Sequence, residues 1–309
     1  MADATIRTES LGSSNLNSLL TTFWDSFRKY KKNKGNPLAL ITGSISEKFA
    51  VEGQTVNVPL YPTVASNLLT DGNAVVKNDE TGSYVALTLN RHRESTWSWT
   101  QIAHSLDGGK TLEGILGGRI AGFVNDVKAD ILSMITAGFT TNTAGTYNTA
   151  LTEAVVVEAV SDIMANKPEG EILHAMISPD VKAWGALAQL SRFTNWDVRG
   201  TQNNLTGEGS VLAPTFQAYG VNWHVTHGLP RTGTSQDNVV FDPASMLYAM
   251  RPIMPPMSRG VVASNFVEEG IALQLVLSYD NGRLADQFTL HALYGSCIGM
   301  ETWGSLLLS

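Results

Sequence analysis

The chain has 309 residues, of which 21 are Lys or Arg and 28 are Asp or Glu, a charged fraction of 16% against a hydrophobic fraction of 43%. Globular domains usually carry about 25% charge, and disorder needs low hydrophobicity with high net charge, so the composition excludes a disordered chain. One cysteine, Cys297, excludes a disulfide scaffold.

Charge is also unevenly placed. Residues 1–35 hold six basic and three acidic side chains, leaving 15 basic and 25 acidic for the rest. A body of that sign does not hold a polyanion by broad electrostatics. No stretch approaches the ~18 uncharged apolar residues of a membrane span, and the N-terminus lacks the apolar core of a signal peptide. Scarce charge on a folded chain points to surface covered by neighbours, because interface cores are depleted in charge.

Residues 1–14 read as a small, polar tail. Leu16, Leu19, Leu20, Phe23, Trp24 and Phe27 then recur at three- and four-residue spacing, which predicts a helix over 15–32. Its basic end, Arg28-Lys29-Tyr30-Lys31-Lys32, suits the negative pole of the helix, and Gly35-Asn36-Pro37 stops it. Val56, Val58 and Leu60 predict a strand, and 62–83, rich in Asn, Asp, Gly and Thr, a loop containing Lys77.

From Val85 to Gln101 the chain alternates without a break. Seventeen residues at ~3.3 Å each would reach roughly 55 Å, several times the usual strand of about five or six residues. Such a strand must bend sharply or project from the body. Arg91 and Arg93 interrupt its apolar face midway, ahead of Trp97 and Trp99, where a projecting arm would become wet or meet another chain.

Residues 111–138 read as the longest helix, with an apolar stripe from Leu112 to Ile135. Gly114, Gly118 and Gly122 lie along one side, and each costs about 1 kcal/mol against alanine. Three in a row point to a close backbone contact. An α/β section follows: a helix over 150–166, a strand over 172–177, a helix over 180–192 opened by Ser178-Pro179-Asp180, and strands at 221–226 and 239–241. Asp280-Asn281-Gly282-Arg283 is a type I′ hairpin signal. It predicts Tyr279 opposite Leu284, Leu275 opposite Phe288 and Leu273 opposite Leu290.

No catalytic, cofactor or metal constellation survives its own geometry. Gly295-Ser296-Cys297-Ile298-Gly299 matches a nucleophile elbow, but the last histidine, His291, precedes the cysteine. His224 and His227 sit three apart on a strand and so face opposite sides. Asp126 and Asp130, one helical turn apart beside Arg119 and Lys128, read as a solvated face.

The order of parts resembles the major capsid protein of tailed bacteriophages, the HK-ninety-seven-type fold. Leu112 to Ala137 is similar to its spine helix, Gln217 to Pro230 to its "Tyr-Gly, short strand, Leu-Pro" segment, and Gly270 to Gly295 to its closing strands. The resemblance implies an α+β fold. Its parts would be an N-terminal arm (1–49), an extended β-hairpin or E-loop (50–102), a P-domain with the spine helix (103–145 and 256–309) and an α/β A-domain (146–255). It implies a structural shell protein and not an enzyme, self-assembling into hexamers and pentamers of an icosahedral head that encloses double-stranded DNA. Its place would be the virion capsid, assembled in the host cytoplasm, without a cofactor and without a membrane. The partners implied are copies of itself, the portal and decoration proteins. An arm starting so near Met1 implies a separate scaffolding protein. Candidate inter-subunit contacts are Phe23, Trp24, Arg28, Lys77, Arg91, Arg93, Trp97 and Trp99. Some relatives join an E-loop lysine to a neighbour's asparagine, but no motif carries that chemistry to Lys77. The alternatives are an encapsulin-type nanocompartment shell and an α/β hydrolase using Cys297.

Overall fold

The computed structural model describes residues 37–43, 55–60, 83–100, 110–167, 172–190, 215–253, 261–268 and 271–309. The predicted helix over 15–32 lies outside them, as does the loop predicted over 62–83 except for Ser83, which begins a strand. The chain divides into two compact units, each built from separated stretches. One contains Arg91–Asp130 and Met250–Tyr294; the other contains Leu40–Asn90, Ile131–Ala249 and Gly295–Ser309.

In the first unit, four antiparallel strands pair in the order Arg91–Thr100, Ala285–Ile298, Ile271–Asp280, Val262–Glu268. Alternation decides the faces. Odd residues of Arg91–Thr100 are covered to varying degree, and all the even ones are exposed. On the covered face Trp97 stands opposite Phe288, which stands opposite Leu277, and Ser95, Leu290 and Leu275 form the next row. The long helix, Lys110–Leu132, adds Ile120, Phe123, Val124 and Val127 to the buried set. Two ion pairs and a tyrosine hydrogen bond fasten this helix to the strands.

The 85–101 alternation proves to be two strands. Ser83–Thr88 pairs with Thr55–Leu60, Arg91–Thr100 pairs with Ala285–Ile298, and Leu89-Asn90 interrupts them. The division between units falls at the same place, after Asn90. The bend that the strand's length demanded is therefore a full change of partner.

The hairpin register is two residues away from the expected one. Leu275 pairs with Leu290, Leu277 with Phe288 and Asp280 with Ala285. This leaves Asn281 to Leu284 as the loop, with Leu284 in the left-handed region at φ 48°. The Asp280 carboxylate accepts from Gly282 N at 2.9 Å, an Asx-type turn that competes with the tight type I′ geometry. The slip is even, so every side chain keeps its face. The expected register would have set Leu277 opposite Asp286, and the observed one places it against Phe288.

The second unit is centred on a sheet ordered Thr143–Gly145, Gly304–Leu308, Ser235–Phe241, Leu173–Ile177, Val221–Val225, Thr215–Ala218. The helix Glu153–Asn166, capped by Thr152, buries Val156, Ala159, Val160 and Ile163 into one core with Leu173, Ala175, Trp223, Val240 and Leu307. The two-residue turn expected at Asn281-Gly282 occurs here instead. Tyr219 (φ 57°) and Gly220 (φ 74°) join Ala218 to its partner Val221 with two positive φ angles, the type I′ requirement. Ser178-Pro179-Asp180 does open a helical segment, but a short one that begins with a π-helical turn instead of an α-helix over 180–192. Asp180 caps the π-helical turn Val181–Gly185, its carboxylate accepting from Lys182 N. The long helix ends at Leu132, and Met134–Gly138 follows as a separate short helix.

Candidate assembly surfaces

The eight contact residues expected from sequence have different fates. Phe23, Trp24, Arg28 and Lys77 lie outside the described residues. Arg91 and Arg93 reach their own helix. Arg91 Nη1 donates to the Asp130 carbonyl at 2.7 Å and to its carboxylate at 3.0 Å, while Arg93 Nη1 lies 3.2 Å from Asp126 Oδ2. The Asp126–Asp130 face read as solvated is therefore a receiving surface for the strand's arginines. Tyr294 completes it by donating its hydroxyl to Asp130. Burial, together with that carboxylate, pushes the phenol up to about 12. Trp97 is buried and stacked flat on Phe288, with ring centroids 5.5 Å apart and planes 6° apart. Trp99 is half-buried. Neither indole N–H has a hydrogen-bond partner among the described residues.

Other surfaces remain open. Gly118 and Gly122 are exposed, and nothing among the described residues comes within 4 Å of where their Cβ atoms would stand. The close contact expected at this stripe is thus not made by the described part of the chain. Both glycines line a groove of about 260 Å³ with Arg93, Glu94, Ser95, Arg119, Phe123 and Asp126. In the second unit, Tyr84 is 67% exposed on the ribbon of Thr55–Leu60 and Ser83–Thr88, and Val157 and Met164 stand two turns apart on the outer side of their helix.

Two histidine pairs were not legible in the sequence, because their members are 50 and 199 residues apart. His174 Nδ1 and His224 Nε2 are 3.2 Å apart, beside Phe241. Burial, reinforced by His174, drives His224 down to about 4. In the first unit, His92 Nε2 and His291 Nδ1 are 3.1 Å apart. Near the first pair, Lys167 and the wholly buried Asp242 form an ion pair, and Asp242 also caps Pro243–Ser245 by accepting from Ala244 N at 2.8 Å.

Cys297 is not placed as a nucleophile. Its segment continues the strand Ala285–Ile298 where an elbow would turn into a helix. Burial pushes the thiol up to about 11, away from the thiolate that attack needs. The glycine that opens the motif has a packing role: a Cβ on Gly295 would overlap the Thr88 backbone.

The architecture is that of tailed-phage capsid subunits, the HK-ninety-seven-type fold. A chain of Mycobacterium phage Che8 superposes with a TM-score of 0.60 at 14% identity, covering 87% of this chain and 89% of that one. The capsid of an empty GTA particle gives 0.57 at 14% identity over 87% and 88%. The capsid of the cyanophage P-SCSP1u gives 0.54 at 12% over 87% and 86%. No family model and no curated protein matches the sequence.

Proposed function

We propose that this chain is a major capsid protein that self-assembles into hexamers and pentamers of an icosahedral phage head enclosing double-stranded DNA. The observation that carries the reading is the extent of the likeness: it spans nearly the whole of both chains, so both units take part. The function of such a subunit is mass action. Each contact is weak, and repetition around closed symmetry makes the shell stable. The Thr55–Leu60 and Ser83–Thr88 ribbon belongs to the E-loop, residues 50–102, which lies over a neighbour. The N-terminal arm clasps another copy, and the A-domain, residues 146–255, converges at the capsomer centre. The predominance of acidic residues after position 35 gives a wall that does not trap phosphates. A separate scaffolding protein, a portal and decoration proteins are the further partners of this reading, and the virion is its location.

The test is to express the chain with and without the neighbouring genes of its genome and examine the product by electron microscopy and sedimentation. Closed shells of uniform size are expected, with nuclease-protected DNA in particles recovered from infected cells. A chain that stays monomeric under every assembly condition overturns the reading. Shells that hold an enzyme and no DNA overturn its genome part.

A further inference from the structure

We propose that the exposed face of the strand pair Arg91–Thr100 and Ala285–Ile298 binds a divalent transition-metal ion through His92 and His291.

The two strands run in unbroken antiparallel register from Ala285 opposite Thr100 to Tyr294 opposite Arg91. Even residues of the first strand and odd residues of the second share the outer face. His92 and His291 are diagonal neighbours there, and Glu94 stands directly opposite His291. On the other side of His291, Gln274 is its register partner. Gln274 is committed elsewhere, donating to Asn265 Oδ1 at 2.8 Å and to the Ile253 carbonyl at 2.6 Å. The strands thus fix both histidine backbones, and the exposed His92 ring stacks on His291 with centroids 5.2 Å apart.

The spacing fits chelation. Two imidazole nitrogens at ~2.0–2.1 Å from one ion, at angles between a right angle and tetrahedral, stand about 2.9–3.4 Å apart. His92 Nε2 and His291 Nδ1 share a hydrogen bond at 3.1 Å, and an ion bound by both nitrogens would displace its proton. Glu94 adds a negative charge beside them.

The second histidine pair serves as an internal contrast. His174 and His224 have nearly the same separation, 3.2 Å, but the charge in their surroundings differs. Asp242 is already paired with Lys167, and the Lys167 ammonium opposes a further cation near His174. At the His92 pair, by contrast, one ring is exposed and Glu94 stands directly opposite His291.

Ligand chemistry sets the class of ion. Paired imidazoles suit Zn²⁺, Cu²⁺ and Ni²⁺, whereas Mg²⁺ and Ca²⁺ prefer oxygen. Among the described residues, no group of three or more His, Cys, Asp or Glu side chains could hold an ion. The site is therefore open, with water in its remaining positions, and is weaker than a structural zinc cage.

The test uses the tag-free full chain at pH 7.5, titrated with Cu²⁺ and read by electron paramagnetic resonance, with Zn²⁺ titrated by calorimetry. One equivalent with two imidazole nitrogens is expected. His92→Ala should abolish the two-nitrogen signal and weaken Zn²⁺ binding by about tenfold or more, Glu94→Gln should weaken it a few-fold, and His174→Gln should leave it unchanged. His92 is exposed, so its variant tests the site even if His291→Ala misfolds. The proposal is overturned if the two-nitrogen signal is absent from the wild type, persists in His92→Ala, or is lost in His174→Gln.

Discussion

Gly295 and Thr88 meet backbone to backbone. A Cβ on Gly295 would overlap the Thr88 carbonyl oxygen and lie 2.8 Å from its carbon and 3.2 Å from Leu89 Cα. All three obstacles are main chain, so no side chain can swing aside. Gly295→Ala should therefore destabilise the subunit by roughly 1–3 kcal/mol, the range for an overpacked interior. A lowered denaturant midpoint with unchanged slope would show it, and an unchanged midpoint would count against the contact.

The same substitution should act in the opposite sense on the long helix. Gly122 has open space where its Cβ would be, so Gly122→Ala should raise subunit stability by up to about 1 kcal/mol. If a neighbouring copy packs against this stripe, shell yield falls while the melting temperature rises. Calorimetry of free subunits and sedimentation of assembled material separate the two effects.

Arg91 ties its strand to the long helix through two acceptors on Asp130, with about a third of each side chain exposed. Solvent screening reduces the worth of such a pair, so Arg91→Ala should cost about 1 kcal/mol. Asp130→Ala should in addition bring the Tyr294 phenol down from about 12, since burial is the first cause of its elevation and the Asp130 carboxylate the next. Ultraviolet titration of the tyrosines reads this directly.

Acid should weaken the second unit through His224. Its pKa falls from 6.5 to about 4 on folding. Below pH 6.5 the unfolded chain takes up a proton that the folded chain refuses, so stability drops between pH 6.5 and 4. The slope should stay under the limit of about 1.4 kcal/mol per pH unit for one group. Thermal melts at pH 7 and pH 5 should diverge in the wild type and less in His224→Gln.

Cys297 should be a poor target for thiol reagents. A shift from 9.0 to about 11 leaves about a hundredfold less thiolate at neutral pH. Iodoacetamide labelling should be slow in native protein and fast in denaturant, and rapid native labelling would contradict the burial.

What could be read before folding was local. The apolar stripe of Glu153–Asn166, the alternation of Thr55–Leu60 and the strand at Leu173–Ile177 depend on neighbours three or four positions away at most. What escaped depends on distant partners. Ser83–Thr88 and Arg91–Thr100 look like one strand because alternation carries no information about which sheet receives each half. Asp126 and Asp130 look solvated until Arg91 and Arg93 are laid over them. The hairpin was found but displaced, because an Asn-Gly signal does not reveal that Asp280 will turn inward to hold Gly282 N. Strand Gly304–Leu308, with its Leu-rich run, was missed for lack of a flanking turn signal.

The sheet pairings also constrain the order of folding. Thr96 bonds Thr289 across 193 positions, and Gly304–Leu308 inserts between strands that begin at Thr143 and Ser235. Contacts this remote in sequence form late. On the ribosome, Arg91–Thr100 waits for its partner until residue 294 has emerged, and the second sheet stays split until residue 308 has. A half-made chain therefore presents neither sheet complete, and any surface built on them appears only at the end of synthesis.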